Sequence, residues 1–489
     1  LWYPVAMVPR SYGNPLLWYF SQCIPVVIIP WLLMQLKAAD AMEMLLLAIL
    51  GPTLRCEWHL SHAQVAAMTT FVFIGMLLGA SVWGAAADKV GRRTVLLVST
   101  ALIAYFGLLC SAAPSYAWVV TLRCFVGFNI GGGAQSYTLL TEYLPHRTRV
   151  AAIVSNLLSW CAGGIFLVLT AWAIVPTLGW RWLTALAAAP LALVLPLMLL
   201  FLPESLRYLL ASGREVEAAK VMELMAKENG RPPLPGELVS QQFTDASRRG
   251  HVSQLFHSSI RRVTLTLFPI WFTIAFTYYG IILLSSDVTS FKQRCLSDNS
   301  PARDSSIVDT SCCRNLNSQD YKSILLASTG ELVILPFNLI LLDRIGRRPT
   351  AALLFIAASI FIGLVSACVP AWTTTAFLFL TRGCAAALFN WCYLYTAEVY
   401  PTSIRSLGIG LHSAVARVGS MLTPLVAQVL LPQVSVSLAF STYIGLNLAC
   451  CCLAISLPVE TLGRAMQQSI IVDDSSTTAA ASGVNEKKD

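Results

Sequence analysis

Asp88-Lys89-Val90-Gly91-Arg92-Arg93 lies between two long apolar stretches, and Asp343-Arg344-Ile345-Gly346-Arg347-Arg348 repeats it 255 residues later. Each copy sets an acid, a central glycine and paired arginines in a loop that turns the chain back on itself. Two further pairs keep the spacing. Thr141-Glu142-Tyr143-Leu144-Pro145 is echoed by Ala397-Glu398-Val399-Tyr400-Pro401, its acids 256 residues apart. Leu202-Pro203-Glu204-Ser205 is echoed by Leu457-Pro458-Val459-Glu460-Thr461, its first prolines 255 residues apart. Three matched pairs at one offset divide the chain into two equivalent halves.

Outward from these loops the chain is apolar. Of its 489 residues, 12% are charged and 56% hydrophobic, and the mean hydropathy is +0.66. A soluble domain carries about 25% charge, so an ordinary cytosolic enzyme is disfavoured, and a disordered or fibrous chain is excluded. The net charge of +8 is spread too thinly to form a basic stripe, which argues against nucleic acid. The partner this composition implies is a lipid bilayer.

A bilayer needs about 20 apolar residues per helix. Twelve stretches qualify: 24–52, 63–86, 94–112, 115–140, 150–174, 182–202, 264–285, 322–342, 350–369, 373–395, 406–430 and 436–457. The sequence therefore predicts an all-α polytopic protein of two parallel six-helix halves, 24–203 and 263–458. A central loop 204–262 joins them, and a tail follows over 459–489. Such halves, related by an axis along the membrane normal, form a transporter architecture with its site near the midplane. Most Lys and Arg fall on the face with the motif loops, Arg149 and Arg405 among them, which puts that face and both termini in the cytoplasm. The chain opens on Leu1, as an incomplete gene product would, with no obvious signal peptide. Residues 1–23 read poorly as helix or tail.

Of the 14 cysteines, most sit within expected helices as small apolar residues. Cys56 lies in the first outer loop, and Cys295, Cys312 and Cys313 in the outer loop 286–321. Oxidation is allowed there, so Cys295 has a choice of Cys312 or Cys313 as its bridge partner.

The doubled motif, the Pro-Glu-Ser after span six and the Pro-x-Glu-Thr after span twelve resemble the major facilitator superfamily. Cys56-Glu57-Trp58, Gly179-Trp180-Arg181-Trp182-Leu183, Tyr278-Tyr279-Gly280 and Ala416-Arg417-Val418-Gly419 are similar, within it, to the organic-ion and synaptic-vesicle transporter branch. The resemblance runs from about 38 to 468 and fails before that, where Pro25, Pro30 and Lys37 interrupt the first span; an aberrant first exon would explain the failure. It implies a monomeric secondary transporter of a small organic solute, an organic ion among the candidates, working by alternating access with a proton as one candidate coupling ion. A plasma or vesicle membrane is implied, with no cofactor and no enzymatic activity. The alternative is a vesicle-membrane binding or regulatory protein of the same fold that moves nothing, an option favoured by the interrupted first span.

In the motif loops, Gly91 and Gly346 permit tight turns, and Asp88 and Asp343 can accept hydrogen bonds from a helix N-terminus or an arginine. Arg93 with Glu142, and Arg348 with Glu398, are expected to oppose one another at the cytoplasmic mouth as gating charges; arginines that only mark topology and meet lipid phosphates are the plainer option. Arg92, Arg149, Glu204, Arg207, Arg347, Arg405 and Glu460 extend that network.

Charges inside spans point to a pathway, since each costs about 3 kcal/mol at a helix centre. Asp40 and Glu43 share a face of span one, where two carboxylates favour proton or cation capture; neutralisation of one by Lys37 is the plainer option. Arg123, Arg382 and Arg417 are cations at depth, and Glu331 an acid that Arg417 could pair with unless an arginine meets an anionic solute. His412 reads as a hydrogen-bonded core residue. Tyr278 and Tyr279 in span seven and Trp391 in span ten are expected to line the cavity, with an outer aromatic belt an equal option for Tyr279. Gly127, Gly131, Gly132 and Gly133 read as close helix packing. Residues 214–229 read as a surface helix, and no catalytic set or metal-ligand cluster rises above background.

Overall fold

The computed structural model describes residues 15–143, 149–228, 252–298, 316–367, 369–401 and 404–462, and the regular elements among them are all helical. Lipid offers a backbone no hydrogen-bond partner, so apolar runs of this length cross it as helices. The first half contains α1 (Pro15–Trp58), α2 (His62–Val90), α3 (Arg92–Ser111), α4 (Tyr116–Ile130), α5 (Ala134–Tyr143), α6 (Arg149–Leu178) and α7 (Trp180–Phe201). Two short helices of the central loop follow, α8 (Leu206–Ala211) and α9 (Glu215–Glu228). The second half contains α10 (Ser258–Asp298), α11 (Ser318–Ile345), α12 (Arg347–Ser366), α13 (Ala371–Val399), α14 (Arg405–Pro424) and α15 (Val436–Ile455).

Among the described residues, ten helices are long and apolar enough to cross a membrane. The remaining two expected spans fall on α1 and on the run from α4 to α5. In α1, Lys37, Asp40 and Glu43 break up the apolar length. In the second run a 3-10 turn over Gly131–Gly133 separates α4 from α5. The interruption expected in span one is absent: α1 is a single 44-residue helix that continues past positions 25, 30 and 37.

The sequence repeat becomes a packing repeat. In the first half α2 packs on α4, α1 on α6 and α3 on α7; in the second, α11 packs on α13, α10 on α14 and α12 on α15. Small residues make these approaches possible. Gly127 rests on the Val72 carbonyl and Gly330 on the Phe379 carbonyl, where any Cβ would overlap backbone. The halves meet along α2 against α14 and α6 against α11. Thr69 donates to Gln428 at 3.3 Å, Thr70 to the Met421 carbonyl at 3.2 Å and Trp172 to Ser318 at 2.7 Å. These bonds join the halves toward the end away from the motif loops. Large apolar residues such as Leu193, Leu200 and Trp372 face outward, 74%, 76% and 75% exposed, as a lipid-facing surface requires.

Candidate functional site

At the motif end the two halves build the same network twice. Gly91 and Gly346 hold the cap positions of α3 and α12 with φ of 102° and 101°, a region that disfavours a side chain. Neither glycine has a side chain to cap the helix, so the cap comes from a distance. Glu204 accepts the backbone N–H of Arg92 at 2.9 Å and of Arg93 at 3.0 Å. Glu460 accepts those of Arg347 at 2.8 Å and Arg348 at 2.9 Å. Neither Asp88 nor Asp343 caps these helices: Asp88 is exposed, and Asp343 takes the arginine option through a long 4.0 Å ion pair with Arg347, its side chain 80% exposed.

The arginine assignments also change. Glu142 pairs with Arg92, and Glu398 with Arg347 at 3.0 Å. Arg93 and Arg348, expected as those partners, turn instead to the carbonyls of Leu199 and Ile455. The cause is helix geometry: the first arginine after each glycine points toward the acid of the network, the second toward the C-terminal end of α7 or α15. Ser205 and Thr461 complete the network by donating to Glu142 at 2.6 Å and to Glu398 at 2.5 Å. Every one of these ion pairs lies within one half. Arg405 donates to the Tyr400 carbonyl at 3.3 Å, Arg207 is exposed, and the side chain of Arg149 lies outside the described residues.

Deeper in the bundle lie three carboxylates with separate cations. Asp40 accepts from Lys37 at 2.9 Å, and its carboxylate faces Gly133, where a Cβ would come within 3.0 Å of it. Glu43 pairs with Arg123 of α4, both almost fully buried. Asp40 and Glu43 thus take different cations. Glu331 pairs with Arg382 of α13 at 2.6 Å, not with Arg417. The reason is position, since α11 packs on α13 along its length while α14 packs on α2 and α10.

Arg417 is therefore left without a carboxylate in ion-pair range among the described residues. It is half-buried where the halves meet, its Nη1 3.6 Å from the Met76 sulfur of α2 and its guanidinium facing Tyr279 of α10. Tyr279 also sets its ring edge-on to Phe73 of α2, 5.0 Å between centroids. Both Tyr278 and Tyr279 are buried, so the belt option for Tyr279 fails. Trp391 does not line this region. It is fully buried inside the second half, stacked on Tyr395 and donating to the Arg347 carbonyl at 2.7 Å. His412 is fully buried, its ring nitrogens 2.7 Å from the Gly408 carbonyl and 3.3 Å from that of Thr264.

The space around these groups is small. One cavity lies beside Asp40, Glu43, Ser99 and Thr100, and one beside Trp160, Glu331 and Arg382; each holds about 10 Å3. That is room for about one water, so the centre is nearly closed.

Some partners carry no signal in the sequence. Trp160 and Cys161 of α6 approach Tyr278 and Glu331. Glu57 accepts from Trp180 at 2.6 Å and Arg181 at 2.8 Å, joining two motifs 123 residues apart in sequence. Cys56 is disulfide-bonded; the bridge expected from Cys295 to Cys312 or Cys313 lies outside the described residues.

Comparison with known proteins identifies the family. The family described as Sugar (and other) transporter matches residues 35–298, and Major Facilitator Superfamily matches 319–469. The synaptic vesicle 2-related protein of Xenopus laevis is 41% identical over 88% of this chain and 78% of its own. SVOPL of Homo sapiens is 36% identical over 88% of this chain and 87% of its own. The chain belongs to the synaptic vesicle 2-related group of the major facilitator superfamily. It is a multi-pass membrane protein of a transporter family. The xylose transporter XylE from E. coli, in a partially occluded inward-open conformation, superposes with a TM-score of 0.68 at 14% identity, covering 90% of this chain and 100% of its own. That likeness concerns the fold.

Proposed function

We propose that the protein is a secondary transporter that carries a small organic solute with an anionic group across its membrane by alternating access. Arg417 carries this reading. A half-buried cation at membrane depth costs about 3 kcal/mol on insertion scales, and here no carboxylate of the described residues offsets it. Its place between α2 and α10 means that a bound anion touches both halves, so binding depends on their relative position. Tyr279 and Phe73 supply an aromatic wall for the rest of the solute.

Asp40 and Glu43 of α1 are the candidate proton carriers, and the repeated motif networks hold each half rigid at its cytoplasmic end. The positive-inside rule supports cytoplasmic termini, and one chain supplies both halves of the pathway, so a monomer suffices. A binding or regulatory protein without transport drew its support from an interrupted first helix, and α1 is continuous.

The test is uptake in proteoliposomes holding the pure full-length chain. An imposed proton gradient should drive accumulation of a member of an organic-anion panel, and Asp40→Asn should reduce it while leaving the melting temperature in place. Gradient-driven uptake unchanged in that variant removes the coupling role of Asp40.

A further inference from the structure

We infer that the disulfide of Cys56 crosses between the two halves, joining the outer end of α1 covalently to the outer end of α10, with Cys295 as its partner. The inference stands whether or not the chain moves a solute.

Cys56 is disulfide-bonded and lies in the last turn of α1, at the end of the bundle away from the motif loops. Eight other cysteines, running from Cys110 to Cys452, carry free thiols. That leaves Cys23, Cys295, Cys312, Cys313 and Cys368. Cys23 shares the unbroken helix α1 with Cys56. The 33 residues between them span about 50 Å of helix, whereas a disulfide needs Cα atoms within about 7 Å. Every remaining cysteine belongs to the second half, so the bond crosses.

Packing selects among them. The helix before Cys368 is α12, which packs on α11, α13 and α15 of its own half. Cys312 and Cys313 precede α11, whose first-half neighbour is α6. The second-half helix that packs on α1 is α10, and Cys295 lies in its last turn. The two cysteines also stand level. Leu45 of α1 and Ile282 of α10 line one cavity, and both helices run from there toward the outer end. Cys56 is eleven residues beyond Leu45 and Cys295 thirteen beyond Ile282, rises of about 16 and 20 Å.

The positive-inside rule turns this end away from the cytoplasm, where disulfides persist. The bond forms by exchange with the disulfide of a thiol oxidoreductase in the secretory lumen. The two thiols give up two protons and two electrons, the new S–S bond forms, and the oxidant's S–S bond breaks to a dithiol. The next residue holds Cys56 to its own half, since Glu57 accepts from Trp180 at 2.6 Å and Arg181 at 2.8 Å of α7. Otherwise the halves meet at this end through hydrogen bonds such as Trp172 to Ser318. At the motif end the ion pairs of the described residues stay within each half. The disulfide therefore fixes the outer end, and the halves part more freely at the motif end.

A protease site placed after Val239 in the central loop tests the bond in the full chain, made in eukaryotic membranes with its thiols blocked before lysis. After cleavage and denaturation in SDS, the halves should run as one species of monomer mass without reductant and as two with it. In Cys56→Ser they should run as two in both conditions. Native halves that separate without reductant, a species of twice the monomer mass, or joined halves in Cys56→Ser overturns the inference. Mass spectrometry of the unreduced digest should find the Cys56 peptide linked to that of Cys295; a link to a different second-half cysteine keeps the crossing and overturns Cys295 as the partner. Fluorophores introduced as non-natural amino acids at the exposed positions Thr177 and Gln319 read the consequence in nanodiscs. Their distance should lengthen on reduction, and Cys56→Ser should show the longer distance with or without reductant. A distance unmoved by reduction, or a reductant shift that survives in Cys56→Ser, overturns the restraint.

Discussion

Glu204 and Glu460 stand in the same place in the two halves: each carboxylate accepts the first two backbone N–H groups of the helix that follows its motif loop. The N-terminus of a helix presents orphan donors and a partial positive charge. Glycine at the cap position leaves both unanswered locally. A carboxylate more than a hundred residues away answers them, and so ties the end of one helix pair to the start of another.

Acid should loosen this tie. Burial raises the Glu460 carboxyl, but the N–H groups of Arg348, Arg347, Leu462 and Thr461 outweigh it and hold the carboxyl below its ordinary value. A group lowered in the folded state stabilises the fold above its unfolded value, and that contribution fades as pH falls through the folded one. Thermal unfolding in detergent should therefore show a loss of stability below about pH 4, and Glu460→Gln should flatten that limb. An acid limb identical in the variant rejects this role for Glu460.

Gly346 has no tolerated substitute. At φ of 101° an alanine is strained by about 1–3 kcal/mol, and its Cβ would meet the Glu460 carboxyl carbon at 3.2 Å. Gly346→Ala should lower the melting temperature clearly, while Gly410→Ala, where a Cβ meets nothing, should leave it or raise it. Equal melting temperatures for the two variants contradict the argument.

The spans, the two halves and the motif loops were legible in the sequence because hydropathy and a fixed offset are properties of the chain itself. Partner choice was not. Arg92 and Arg93 are adjacent and chemically identical, and only the rotation of about 100° per residue on a helix decides which meets Glu142. Trp391 read as a cavity residue because span ten is rich in rings, yet its indole is consumed by the Arg347 carbonyl. Glu331 was visible as a costly acid, whereas its partner depended on which helices pack together. Trp160 had no signal at all, being one aromatic among many.

The Glu43–Arg123 pair should behave as a unit. Both side chains are buried, 3% and 1% exposed, so removing one leaves a lone charge that costs about 3–5 kcal/mol. Glu43→Gln and Arg123→Gln should each lower the melting temperature strongly, and the double variant should recover more than half of the loss. Losses that simply add would show that the two groups are stabilised independently.

Arg417 separates recognition from folding. No carboxylate partner is stranded by its removal, so Arg417→Gln should unfold within a few degrees of the native protein. It should, however, abolish uptake of organic anions in proteoliposomes. Arg417→Lys keeps the charge but not the planar fork that grips a carboxylate or sulfonate through two parallel bonds, so it should bind the same solutes about tenfold more weakly, one hydrogen bond to a charged group being worth about 1.5 kcal/mol or more. Uptake that survives Arg417→Gln at the native rate would place the anion elsewhere. The other membrane arginines are the controls, because Arg123 and Arg382 each hold a buried carboxylate, and a neutral substitute at either should damage the fold before it reveals anything about the solute.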